Sequence, residues 1–194
     1  VFCEFQTFKL GYIIGDGFGF RRESQSLFFS GTKFEIFLEV LLKQQKYAHN
    51  VLRNVEYHKS KYRYRQIDVS YNVIQNGKMY LVIVEAKYSS NGNISYQLRS
   101  PRVKKDGKLV CSFDNLVDEM AERQRFVGAD LAILVTNHGF KDKVKKESKK
   151  NGIKVIEGDK LTEMYHKLGL RGSIDTLIGS IDVNGMMHKN VIYL

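Results

Sequence analysis

The sequence predicts an α/β fold in which helices flank a mixed central sheet. Three observations predict it. A helix-spaced apolar run lies near the start, three extended segments follow in succession, and helical and strand-like segments then alternate to residue 168. Elements in this order bury a sheet between helical layers.

Residues 1–30 are rich in aromatic residues and glycine and are expected to form a β-like extension. Within them, Gly15-Asp16-Gly17-Phe18-Gly19 is followed by Phe20-Arg21. A phosphate-cradling loop would need Lys and then Ser or Thr there, so a tight turn is expected instead. From Gly31 to about Gln45, Phe34, Phe37, Leu38, Leu41 and Leu42 recur at helical spacing. Extended segments are expected over 51–57, 64–74 and 78–88. The polar stretch 89–112 holds Lys104-Lys105-Asp106-Gly107-Lys108, the signature of a hairpin with an Asp-Gly turn. Beyond it the pattern predicts a helix over 114–127, a buried strand over 130–136, a helix over 141–150 and a strand over 153–156. A last helix over 159–168 would be capped by Asp159. The tail from Gly172 reads as β-like, with a turn signal at Asn184-Gly185. The chain thus divides into an extension (1–30), a core domain (31–170) and a tail (171–194).

Composition bounds what the domain can do. Its 194 residues carry 31 basic and 21 acidic side chains, a formal charge of +10. That excess calls for an anionic partner, and nucleic acid is the commonest one for such a domain. No apolar run is long enough to span a bilayer, and no basic amphipathic helix stands out, so a membrane is not expected. Cys3 and Cys111 make no disulfide framework, and the five histidines show no zinc-ligand spacing. No secretory leader is visible, which suits an intracellular, cytoplasmic setting. The first residue is Val1 rather than Met, which leaves room for a segment upstream.

One constellation carries chemistry. Residues 81–84 (Leu-Val-Ile-Val) are apolar on both faces, the mark of a strand covered from both sides. Glu85 and Lys87 then arrive at its end, two residues apart and so on one face. Burying such charges costs several kcal/mol per ion unless they are well paired. Asn76-Gly77 is a strong hairpin signal. With those two residues as the loop, Asp68 stands opposite Glu85, and Gln66 opposite Lys87. Two carboxylates that close repel each other, and a divalent cation relieves the repulsion. A hard ion such as Mg²⁺ suits oxygen ligands of this kind. The alternative from the triple alone is an ion pair of Lys87 with Asp68 or Glu85.

An Asp, a gap, and then Glu-x-Lys ending an apolar strand resembles the PD-(D/E)xK nuclease superfamily, with Ile67 where the motif name has Pro. Gly31-Thr32-Lys33-Phe34-Glu35 opening a helix looks like the start of the Mrr-like restriction endonuclease domain. Residues 131–137 with Phe140, and residues 152–161, are similar to that domain's later strand–helix units. The resemblance runs over roughly residues 31–168. It departs in having Arg65-Gln66-Ile67-Asp68 before the acid and Glu-x-Lys where many such domains carry Gln-x-Lys.

The resemblance implies a restriction endonuclease-like core and Mg²⁺-dependent hydrolysis of DNA phosphodiesters, with Mn²⁺ as a substitute ion. Asp68, Glu85, Lys87, Glu35 and Gln66 are the expected catalytic residues, and Asp68, Glu85 and Glu35 the metal ligands. Helical geometry puts Glu35 at the edge of the buried arc and Glu39 further out, paired with Lys43 in solvent. Lys59, Lys61, Arg63 and Arg65 alternate along one strand face, opposite that of Asp68. With Arg99, Arg102, Lys104, Lys105 and Lys108 of the hairpin they are expected to contact phosphates. Gln124 and the lysine-rich 141–150 segment read as solvated surface. Double-stranded DNA is the expected partner, and cutting both strands would ask for a homodimer. Two other readings remain: a non-cleaving nucleic-acid-binding module, and a nuclease resolving Holliday junctions.

Overall fold

The Asn76-Gly77 turn sets the register at the centre of the molecule. Asn76 has φ 52° and Gly77 φ 72°, the paired left-handed conformations of a two-residue hairpin loop. The computed structural model describes residues 23–97, 115–183 and 189–194. Around the turn, β2 (Arg63–Gln75) runs antiparallel to β3 (Lys78–Lys87), from Gln75 opposite Lys78 to Val69 opposite Val84. This is the register the sequence predicts.

β1 (Ala48–Ser60) lies antiparallel on the other side of β2. β4 (Leu131–Thr136) adds parallel to β3, and β5 (Lys154–Ile156) parallel to β4. At the opposite edge β6 (Asn190–Tyr193) pairs parallel with β1. The six-stranded order is therefore β5-β4-β3-β2-β1-β6, a mixed sheet.

Helices cover both faces. α1 (Glu23–Lys43), α4 (Gly158–Lys167) and α5 (Ile174–Gly179) pack against Val69, Tyr71, Val82 and Val84. α2 (Leu116–Val127) and α3 (Asp142–Lys150) cover the other face through Ile67, Ile83 and Leu134. Neighbouring residues of β3 thus enter opposite cores, which is why its sequence is apolar without alternation. Among the described residues no helix is long and apolar enough to cross a membrane.

Several boundaries differ from the expected ones. α1 begins at Glu23 rather than Gly31, so residues 23–30 are helical, not β-like. The tail contains α5 before β6, because Ser173 caps a helix through Thr176 N–H at 3.1 Å. The residue capping α4 is Glu157, and Asp159 falls in the first turn. A Cβ on Gly158 would stand 2.2 Å from the Asn137 carbonyl oxygen. The helix therefore starts at a glycine pressed against the end of β4, and the Glu157 carboxylate accepts from Phe140 N–H at 2.7 Å instead of capping. The 15–19 glycine cluster, Cys3, Cys111, the 184–185 turn and the basic hairpin with Arg99, Arg102, Lys104, Lys105 and Lys108 lie outside the described residues.

α1 is seated on the sheet by an ion pair that the sequence did not predict. Arg53 of β1 is 2 % exposed, and its Nε donates to Glu39 at 3.1 Å. Glu39 also accepts from Lys43 at 2.7 Å, as expected, but its side chain is only 10 % exposed. The expectation that Glu39 faces solvent is thus corrected, since β1 rises against that side of the helix. Removing one partner of a buried pair leaves an uncompensated charge, a loss of about 3–5 kcal/mol. Glu39→Gln should therefore lower stability by about 3 kcal/mol in urea denaturation; an unchanged midpoint would show that the pair contributes nothing.

Candidate active site

The site forms where two strands change face together. In the β1–β2 ladder Arg53 pairs with Val69 and Val55 with Ile67. Val69 packs on the α1 side, whereas Ile67, two residues away, packs on the α2 side with Val55. Strict alternation would keep Ile67 and Val69 on one face. The break falls at Asn54, which has φ 52°, and at Asp68 beside it. Asp68 thus sits at the turnover, within reach of groups from both helical layers.

Its Oδ2 accepts a 2.8 Å hydrogen bond from Ala86 N–H, which holds the acid against the end of β3. On that end, Glu85 is 3 % exposed and receives two cations. Lys87 Nζ donates to its Oε1 at 2.5 Å, and Arg123 of α2 to its Oε2. Arg123 also bonds Glu119 at 2.9 Å. Glu35 approaches from α1, 3.9 Å from Arg53 and one quarter exposed.

The three carboxyls divide. Burial alone would raise the Glu85 value, but Arg123 and Lys87 outweigh it and bring it down to about 2. Asp68 is raised to about 7, by burial and then by the Glu85 charge. Glu35 is raised to about 8, by burial and then by Asp68. Lys87 is moved up despite burial, because Glu85 and Asp68 favour its ammonium form. Among the described residues the closest cations, Lys87 and Arg123, bond Glu85, and the weaker pull they and Arg53 exert on Asp68 and Glu35 does not offset burial.

Glu35, Gln66, Asp68, Glu85 and Lys87 all line one cavity of about 500 Å³, so the predicted set converges. Gln66 does so differently from expectation. The β2–β3 ladder ends at Val69 and Val84, so Gln66 pairs with Glu56 of β1, and its amide donates to Asn54 at 2.9 Å rather than facing Lys87. The basic residues are also rearranged. Lys61 lies in the turn, while Lys59, Arg63 and Arg65 gather over the Phe126 ring of α2 at 4.7, 5.7 and 4.8 Å. Arg65 lines the same cavity as Asp68, not an opposite face, because alternation fails at Asp68 itself. It is also clamped by both oxygens of Glu122, at 2.6 and 2.7 Å.

Sequence reasoning missed Arg123. Its signal was present: Leu116, Met120, Arg123 and Val127 share one buried stripe of α2, so a charge there needs a buried partner. Gln124, read as surface, donates to the Ala129 carbonyl at 3.2 Å and helps close the end of α2. Asn137 brackets Ser89, accepting from its N–H and donating to its carbonyl, each at 2.8 Å, and so fixes the chain leaving Lys87.

The restriction endonuclease family model (Mrr_cat) matches residues 113–165, about a quarter of the chain, covering α2, β4, α3, β5 and most of α4. That stretch of the chain is similar to the restriction endonuclease family. No curated protein matches it. Solved structures with a distant likeness include the protein VC1899 from Vibrio cholerae, at 18 % identity and a TM-score of 0.45, over 70 % of this chain and 31 % of that one. Can2 from Sulfobacillus thermosulfidooxidans, in complex with cyclic tetra-adenylate, has 18 % identity and a TM-score of 0.45 over 71 % and 35 %. The DNA modification-dependent restriction endonuclease AspBHI has 12 % identity and a TM-score of 0.45 over 87 % and 43 %. This chain spans about a third of the length of the first two.

The donor set lining the cavity suits a hard cation in its chemistry. Asp68, Glu35 and Glu85 offer only carboxylate oxygens, and burial pushes two of the three, Asp68 and Glu35, up toward their neutral forms. Among the described residues no three acidic, His or Cys side chains already form a cage. Glu85 would have to exchange one of its present cations, Lys87 or Arg123, for a metal.

The raised acids make the metal-free protein sensitive to pH. Both bind protons more tightly when folded, so their contribution is complete below about pH 4 and is lost as pH rises through 7 and 8. Asp68→Asn removes one of these penalties and keeps an oxygen for Ala86 N–H. In EDTA at pH 8 the variant should melt a few degrees above the unsubstituted protein, and the gap should narrow as pH falls and close only near pH 4. A constant gap across that range would show that Asp68 ionises normally.

Proposed function

We propose that this chain is a divalent-metal-dependent endonuclease that hydrolyses DNA phosphodiesters, of the Mrr-like restriction or defence type. The observation that carries the proposal is the convergence of Asp68, Glu85, Lys87 and Glu35, from β2, β3 and α1, on one cavity. Three acids and a lysine at the end of a buried strand are costly to keep for packing alone. The family match over 113–165 supports the same reaction class, and the charge of +10 supports an anionic polymer as substrate.

In this reading Asp68, Glu85 and Glu35 hold Mg²⁺, or Mn²⁺ in its place. The ion supplies a bound water of lowered pKa and positive charge beside the phosphate. The chain's own groups do the rest. Ala86 N–H fixes the Asp68 carboxylate, so that it need not reorganise during the reaction. Lys87, one third exposed and tethered to Glu85, presents an ammonium at the cavity wall. It orients the attacking water and offsets negative charge on the phosphate oxygens. The water oxygen bonds to phosphorus as it gives up one proton to solvent, the phosphorus–oxygen bond to one sugar breaks, and the departing oxygen takes up a proton from solvent, so that the protons balance. Lys59 and Arg63, with the expected hairpin cations, hold the neighbouring phosphates and set affinity rather than chemistry.

Asp68→Ala and Lys87→Ala should each bind DNA yet nick supercoiled plasmid at least about a hundredfold more slowly, a loss in the range of a removed electrostatic or proton-transfer group. EDTA should abolish nicking and Mg²⁺ restore it. Full nicking in EDTA, or in either variant, would overturn the mechanism. Binding without any nicking by the unsubstituted chain would favour the non-cleaving module.

A further inference from the structure

Beside the cavity the molecule presents aromatic rings that its own packing does not require. Tyr62, at the tip of the β1–β2 hairpin, is 87 % exposed, and Tyr64 is 44 % exposed. Both line the cavity that contains Asp68 and Lys87. Tyr64 stacks on His58 with centroids 4.8 Å apart and planes 13° apart. His58 in turn meets Tyr193 of β6, itself 77 % exposed, at 5.5 Å. Strand pairing enforces the row, since His58 stands opposite Tyr64 on β2 and opposite Tyr193 on β6. An aromatic ladder therefore runs from the cavity rim to the sheet edge.

Cations border it. Lys61 Nζ lies 5.5 Å from the Tyr62 ring centre, and Lys59 and Arg63 emerge on the other side of the same hairpin. Exposed rings interleaved with cations match the two features of unpaired nucleic acid: free π faces and a phosphate backbone. A duplex offers the phosphates but keeps its base faces stacked inside, so it would use the cations and leave the rings idle.

We propose that the β1–β2 hairpin is a stacking platform for unpaired bases of single-stranded DNA. Tyr62 and Tyr64 seat the bases next to the phosphate that enters the cavity. The proposal relies on the nuclease reading only for what happens in the cavity; the platform's binding stands apart from it. The substrate class it favours is DNA with an unpaired stretch, such as a flap, gap, fork or the melted segment of a supercoiled plasmid, over a blunt, relaxed duplex. It is specific to strand state rather than to sequence, because every base has a π face.

The test is fluorescence anisotropy in EDTA, where nothing is cut. It uses a labelled single-stranded DNA oligonucleotide, the blunt duplex of the same sequence and the matching RNA strand. The full chain should bind the single-stranded DNA more tightly than the duplex. Tyr62→Ala should weaken that binding about tenfold and duplex binding by less than about twofold, while Tyr62→Phe keeps both. Tyr62 touches little, so unaltered folding is expected and is checked by thermal melting. Tyr64→Ala should act in the same direction. Equal losses on single strand and duplex, no loss on either, loss in Tyr62→Phe as large as in Tyr62→Ala, or preference for RNA would each overturn the platform. Nicking in Mg²⁺ is measured separately. Plasmid nicking without strand-selective loss in Tyr62→Ala sinks the platform and spares the nuclease; strand-selective binding without nicking does the reverse.

Discussion

Glu85 is an anion enclosed at the end of the most covered strand, and the surrounding arrangement follows from the cost of enclosing it. A carboxylate there needs positive charge on both oxygens. Lys87 supplies it from the same strand and Arg123 from α2. The Arg123 contact ties β3 to the helix that packs beside it. The two contacts also leave the remaining acids, Asp68 and Glu35, with only a weaker pull from cations, and burial drives both toward the neutral form. The cavity is thus electrostatically unfinished in a way a divalent ion would complete.

The opposite helical layer repeats the logic at lower charge. Arg53 is buried under α1 and sits between Glu39 at 3.1 Å and Glu35 at 3.9 Å. One guanidinium thereby fixes the rotation of α1 and the distance of Glu35 from Asp68. Glu39 satisfies the arginine, which leaves Glu35 weakly paired and turned toward the cavity. The acid that holds the helix and the acid that serves the site are one turn apart on the same helix.

The β1–β2 pair links these layers. Its two strands change face together at Asn54 and Asp68, so a single sheet reaches both helical layers within three residues. Beyond the turnover the hairpin projects with its cations toward Phe126 and its tyrosines along the other side. The irregularity that places Asp68 also aims the hairpin at the cavity mouth.

Much of this was legible in the chain itself. Asn76-Gly77 can adopt paired positive φ values at little cost, so the β2–β3 register followed from two letters. The unbroken apolar run at 81–84 announced a strand covered on both faces, and with it the unusual position of Glu85 and Lys87. Periodicity likewise found the buried arc of α1. What the sequence could not supply were pairings between distant elements. The burial of Glu39 depends on Arg53, fourteen residues away on another element, and Arg123 meets Glu85 only once α2 has docked. Nor could period-two alternation foresee its own failure at Asp68, because a face change needs a left-handed residue on the neighbouring strand. Local periodicity and turn chemistry are written residue by residue; which buried charge meets which partner is decided only when the layers close.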